Sequence, residues 1–131
     1  MTQRISITSS IGRSWQNVAE SAALSRRAGS CSESRLFKIE NGVLTNCSEE
    51  GPLVYVVLGH QVVQYVGQTR QPLSVRIGNH LRNPAKAQNW SHVAAITLDY
   101  DTSAARVDEI ERRARDMLRP RMGSSWPRKP S

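Results

Sequence analysis

Residues 53–69 read LVYVVLGHQVVQYVGQT. Leu53 to Leu58 is an unbroken apolar run rich in β-branched residues, Gly59-His60 is a turn signal, and Gln61 to Val66 resumes the apolar pattern. The stretch therefore predicts two strands folded as a hairpin. Gly67 to Pro72 breaks the second strand, and Pro72 suits the first turn of a helix. Leu73, Ile77 and Leu81 recur at helical spacing and give that helix a buried stripe, with Arg76 and His80 on the neighbouring one. Asn83-Pro84 ends the helix, residues 83–91 read as a polar loop, and residues 93–100 read as a third strand. Thr102 or Ser103 caps a second helix to about Leu118. Its apolar face is Val107, Ile110, Ala114, Met117 and Leu118, and its other face carries Arg106, Arg112, Arg113 and Arg115. The expected fold class is α+β, a small three-stranded sheet flanked by helices.

Upstream, residues 1–50 read as an N-terminal extension. It holds a weakly amphipathic helix over 14–27 (Trp15, Val18, Ala19, Ala22, Leu24) and a short hairpin over 36–45 about Asn41-Gly42. Residues 51–123 form the expected domain, and 124–131 a tail. A unit of about 70 residues buries little by itself, so the extension or a second subunit is expected to supply cover.

The chain has 131 residues, which suits one domain, and its 18 Lys+Arg against 11 Asp+Glu give a net charge of +7. Fifteen of the 18 basic residues are arginines, whose planar fork binds phosphate bidentately, so the charge points to nucleic acid. A solvated arginine-rich face is the competing reading. Residues 1–50 carry 6 basic and 5 acidic side chains and residues 51–131 carry 12 and 6, which places the excess in the C-terminal part. No apolar run approaches the roughly 20 residues that span a bilayer, and no apolar core of a secretion signal stands at the N-terminus. Cys31 and Cys47 lack metal-site spacing. A cytoplasmic chain that does not engage a membrane is expected.

The informative polar residues are those that break the packing pattern. Tyr55 lies in mid-strand and Tyr65 near the end of the next strand; their hydroxyls share a face only if the register allows it. Arg76 and His80 project from the following helix, and Glu111 adjoins the buried stripe of the last one. With Leu53-Val54-Tyr55 and Tyr65-Val66-Gly67 as half-motifs, then Gln68-Thr69, the helical Arg76 and His80, and finally Glu111 and Pro120, the chain resembles the GIY-YIG nuclease family. The resemblance covers about residues 52–123. Leu53 stands where that family has glycine, Met122 where an aromatic is usual and Gly123 where asparagine is frequent.

The resemblance implies hydrolysis of a phosphodiester with one divalent ion, Mg²⁺ or Mn²⁺. Glu111 would be the metal ligand, Arg76 would bind a phosphate oxygen, and Tyr55 would be the general base for water. Tyr65 and His80 would position water or phosphate and tune Tyr55. Gly67 would allow close backbone approach, with Gln68, Thr69, Arg70, Arg82, Lys86 and Trp90 as candidate nucleic-acid contacts; Trp126 is a further candidate. Each residue also has a plainer reading: tyrosines as strand packing, Arg76 and His80 as solvated helix surface, Glu111 as an ion-pair partner of Arg115 with Asp108 or Glu109 as rival ligands. DNA is the expected substrate, with RNA also open; double-strand cleavage would call for two copies, as in a homodimer, or two successive events, and target choice for the 83–91 loop, the extension, dimerisation or a partner protein. The alternatives are a non-catalytic basic module that binds nucleic acid on the same fold, and a basic partner-binding protein.

Overall fold

The structure, a computed structural model, describes residues 9–27 and 36–121. Cys31, Met122, Gly123, Trp126 and the 124–131 tail lie outside the described residues. In chain order the elements are α1 (Ser9–Ser21), a 3-10 turn (Ala23–Ser25), β1 (Phe37–Glu40), β2 (Val43–Leu44), β3 (Leu53–Gly59) and β4 (Val62–Thr69). They continue with α2 (Leu73–His80), α3 (Pro84–Asn89), β5 (His92–Thr97) and α4 (Ala104–Leu118).

The α+β class holds, but the three-stranded sheet is corrected to five antiparallel strands in the order β2-β1-β5-β3-β4. Asn41 and Gly42 take positive φ angles of 54° and 78°, which close the short hairpin. Phe37 and Lys38 then pair with Val93 and His92, so this hairpin extends the central sheet. The physical reason is the outer edge of β5, whose backbone donors and acceptors need partners that β1 supplies.

Alternation along β3 sends side chains to two layers. Val54, Val56 and Leu58 join Trp15, Val18, Ala19 and Ala22 of the N-terminal segment and Val107, Ile110, Ala114 and Leu118 of α4 in one core. Leu53, Tyr55 and Val57 face the other core, with Leu73 and Ile77 of α2, Trp90 and Phe37. The N-terminal helix thus covers the same sheet face as α4. Arg106 ties the two together, its guanidinium donating to the Ser21 carbonyl at 2.6 Å and pairing with Glu109 at 2.9 Å. Leu24, expected on the apolar face, is 98 % exposed because the helix stops at Ser21 and a 3-10 turn changes the period.

Two local departures bear on the site. The β3–β4 turn falls at His60 and Gln61 (φ 55° and 64°), with Gly59 still in the strand. The register begins as Gly59↔Val62 and Leu58↔Val63, then shifts to Val57↔Tyr65 and Tyr55↔Gly67. Gln64 is the surplus residue of this β-bulge; it is buried, and its Nε2 donates to the Gly59 carbonyl at 2.9 Å. Residues 84–89, expected as polar loop, form α3, because the Asn83 side chain accepts from the Ala85 and Lys86 amides and Pro84 opens the helix. Among the described residues no helix is long and apolar enough to cross a membrane.

Candidate active site

Tyr55 and Tyr65 share one face because of that bulge. Opposing residues of an antiparallel pair project to the same side, and the shifted register sets Tyr65 opposite Val57 and Gly67 opposite Tyr55. The two phenol rings stack with centroids 6.1 Å apart. α2 crosses this face and brings His80 to both, its Nε2 3.1 Å from Tyr55 Oη and its ring 4.9 Å from that of Tyr65. Arg76 lies one turn earlier, and its charge acts on both phenols.

Gly67 is what lets the rings lie there. A Cβ at this position would stand 2.6 Å from Tyr55 Oη, 2.8 Å from its Cζ and 2.9 Å from Tyr65 Cε2. Both rings are buried and have little room to retreat. Gly67→Ala is expected to destabilise the protein by about 1–3 kcal/mol, read as a lowered midpoint in chemical denaturation. Gly78→Ala, in α2 with nothing within 4 Å of the added Cβ, is the control and is expected to stabilise instead.

Glu111 approaches from the other layer. It is 2 % exposed on α4, and its Oε1 accepts a 2.6 Å hydrogen bond from Gln68 Nε2. The same Gln68 amide donates to Asp108 Oδ1 at 2.6 Å. Glu111 Oε2 is buried, makes no hydrogen bond among the described residues and lies 3.7 Å from Arg115 Nε. β4 is the outermost strand, so the tyrosine face and the Glu111 face meet along its length, and the Glu111 charge acts on both phenols.

Burial is the main influence on the titrating groups. It pushes Tyr55 far above the ordinary phenol range, with the Tyr65 charge adding and Arg76 offsetting in part. Tyr65 is raised for the same first reason, against the pull of Arg76. His80 is pushed down to about 4 by burial and then by the charges of Lys86 and Arg76. Burial raises Glu111 despite the Gln68 hydrogen bond and the Arg115 charge.

Among the described residues no three His, Cys, Asp or Glu side chains are grouped to hold a metal ion. One buried carboxylate with an unsatisfied oxygen still fits a magnesium-type ion, which keeps most of its shell as water and takes further oxygens from phosphate.

The five residues expected to be catalytic are therefore brought to one region. The nucleic-acid candidates divide. Arg82 is exposed near the end of α2. Arg70 is exposed, with one guanidinium nitrogen donating to the Thr102 carbonyl at 3.0 Å. Gln68 is engaged by carboxylates, and Thr69 Oγ1 accepts from the Gln71 amide at 3.0 Å. Trp90, a candidate nucleic-acid contact whose other reading is a partly buried anchor, is 4 % exposed, packed 5.3 Å from Tyr65 and 5.2 Å from His80 between ring centroids. Lys86 Nζ contacts His80 Nδ1 at 2.8 Å. The Gln68 bridge to Asp108 and the Lys86 contact were missed by sequence reasoning, since neither spacing is a helical or strand period. No protein-family model, curated protein or solved structure matches this chain.

Proposed function

We propose that this chain is a metal-dependent endonuclease of the GIY-YIG type that hydrolyses phosphodiester bonds in DNA. One observation carries the reading: Tyr55, Tyr65, Arg76 and His80 converge over Gly67, with buried Glu111 across the outer strand. Arg76 Nε is buried and makes no hydrogen bond among the described residues, a donor that a non-bridging phosphate oxygen would satisfy. Exposed Arg112, Arg113 and Arg119 supply a basic surface for the backbone beyond the scissile bond. Glu111 would hold Mg²⁺ or Mn²⁺, an ion that polarises phosphate and stabilises a leaving oxygen.

In this reading Tyr55 takes the proton of the attacking water, which only its phenolate form can accept. Its pKa lies above the ordinary phenol value because burial disfavours the charged form. The deprotonated fraction therefore climbs through the neutral and alkaline range, and the cleavage rate is expected to rise with pH by roughly tenfold per unit until Tyr55 titrates. A pH–rate profile at saturating Mg²⁺ measures this, and a rate independent of pH would remove Tyr55 from the role of base.

The direct test is a cleavage panel of supercoiled, linear, branched and single-stranded DNA together with RNA. Cutting in Mg²⁺ or Mn²⁺ that stops in EDTA is expected. Gel shifts in EDTA with no cutting in metal would favour the non-catalytic binding module instead. Mixing active and inactive chains would test whether double-strand breaks need a second copy.

A further inference from the structure

His80 stands between a phenol and an ammonium. Its Nε2 is 3.1 Å from Tyr55 Oη and its Nδ1 is 2.8 Å from Lys86 Nζ. A neutral imidazole has one N–H and one lone pair, whereas a protonated lysine offers donors only. The nitrogen facing Lys86 must then be the acceptor, which leaves the ring proton on Nε2, facing Tyr55.

The surroundings hold this arrangement. α3 is capped by Asn83, whose side chain accepts from the Lys86 amide, so the capped first turn carries the lysine over the histidine. Lys86 Nζ also lies 5.3 Å from the Tyr65 ring centroid and 5.5 Å from that of Trp90. Both contacts favour the cation, against burial and the Arg76 charge, which lower the Lys86 pKa from its ordinary value. The titratable groups facing His80 are Tyr55 of β3, Tyr65 of β4, Arg76 of α2 and Lys86 of α3. Burial and the two cations keep the ring neutral down to about pH 4, so it stays a one-donor, one-acceptor group at neutral pH.

We infer that Lys86 is a positioning residue that fixes His80 as its Nε2–H tautomer and so makes His80 a hydrogen-bond donor to the Tyr55 oxygen. The consequence for cleavage rests on the reading of Tyr55 given above. A donor at Nε2 stabilises the phenolate, as Arg76 does, and lowers the cost of giving up the phenol proton to solvent. With the opposite tautomer Nε2 would accept from the Tyr55 hydroxyl and hold that proton in place. The buried imidazole is too weak a base to remove it.

Two-dimensional ¹H–¹⁵N spectra of the histidine rings test the tautomer without any nuclease assay, His80 being assigned by its loss in His80→Gln. The wild type is expected to carry the proton on Nε2. Lys86→Met keeps an unbranched side chain of similar length and removes the cation, and it is expected to admit the Nδ1–H tautomer; Lys86→Arg is expected to restore Nε2–H. In cleavage, Lys86→Met is expected to slow the reaction roughly 10- to 100-fold and to move the alkaline rise to higher pH. A proton on Nδ1 in the wild type, or a tautomer unchanged in Lys86→Met, would overturn the inference even if DNA is cut. The expected tautomer change in a protein that cuts nothing would sustain the tautomer assignment and sink the nuclease reading alone.

Discussion

Glu111→Ala is expected to reduce metal-dependent cleavage by at least ~10³-fold while the protein stays folded. The apolar stripe that seats α4, Val107, Ile110, Ala114 and Leu118, is untouched by the substitution. The substitution also removes the acceptor of one Gln68 bond and the partner of Arg115, so some loss of stability is expected, and Glu111→Gln, which keeps the shape and an acceptor oxygen, separates that loss from loss of the metal. Gln68 keeps Asp108 as an acceptor. Two measurements separate the metal role from a structural one. Initial rates on plasmid DNA report the chemistry, and thermal melts with and without Mg²⁺ report binding. The wild-type midpoint should rise with the ion and that of Glu111→Ala should not. Undiminished cutting would remove the metal role from Glu111 and leave Asp108 as the next residue to replace.

Arg76→Ala is expected to slow cleavage by roughly 10²- to 10³-fold, the usual loss when one aimed donor is withdrawn from a charge-developing site. It should also change the pH profile. Arg76 lowers both Tyr55 and Tyr65, so without it the phenolate forms at higher pH and the alkaline rise moves up. Arg76→Lys keeps the charge and forfeits the fork, and is expected to fall between the two. Gel shifts in EDTA should change little, since the exposed arginines of α4 and beyond are intact. Equal loss of binding and cleavage would make Arg76 a general phosphate contact and not one specific to the transition state.

Much of the architecture was legible from period and punctuation. The buried stripe of α4 and a hydroxyl cap at Thr102 or Ser103 follow from helical spacing, and Ser103 is the one that caps. The 53–69 hairpin follows from two β-branched runs about a turn. The fate of residues 37–44 was not legible, because a hairpin's own sequence says nothing about which outer edge it will join; that is settled by the need of β5 for partners. Asn83-Pro84 reads as the end of α2 although the same pair serves to start α3, and the sequence does not distinguish the two uses. At the site, the residue types were legible and their companions were not. Lys86 reaches His80 only because α3 folds back, and Trp90 is buried by the same turn of the chain.

The bulge at Gln64 has a consequence for how such sites can vary. Ten positions separate Tyr55 from Tyr65, and a plain two-residue turn at His60 and Gln61 would send the two phenols to opposite layers of the sheet. One surplus residue corrects the count. Odd and even separations between the two tyrosines are thereby made equivalent, and a hairpin of this kind can gain or lose a single residue during divergence without moving its hydroxyls. A search that demands one fixed interval between the half-motifs would pass over chains whose side chains meet in the same place.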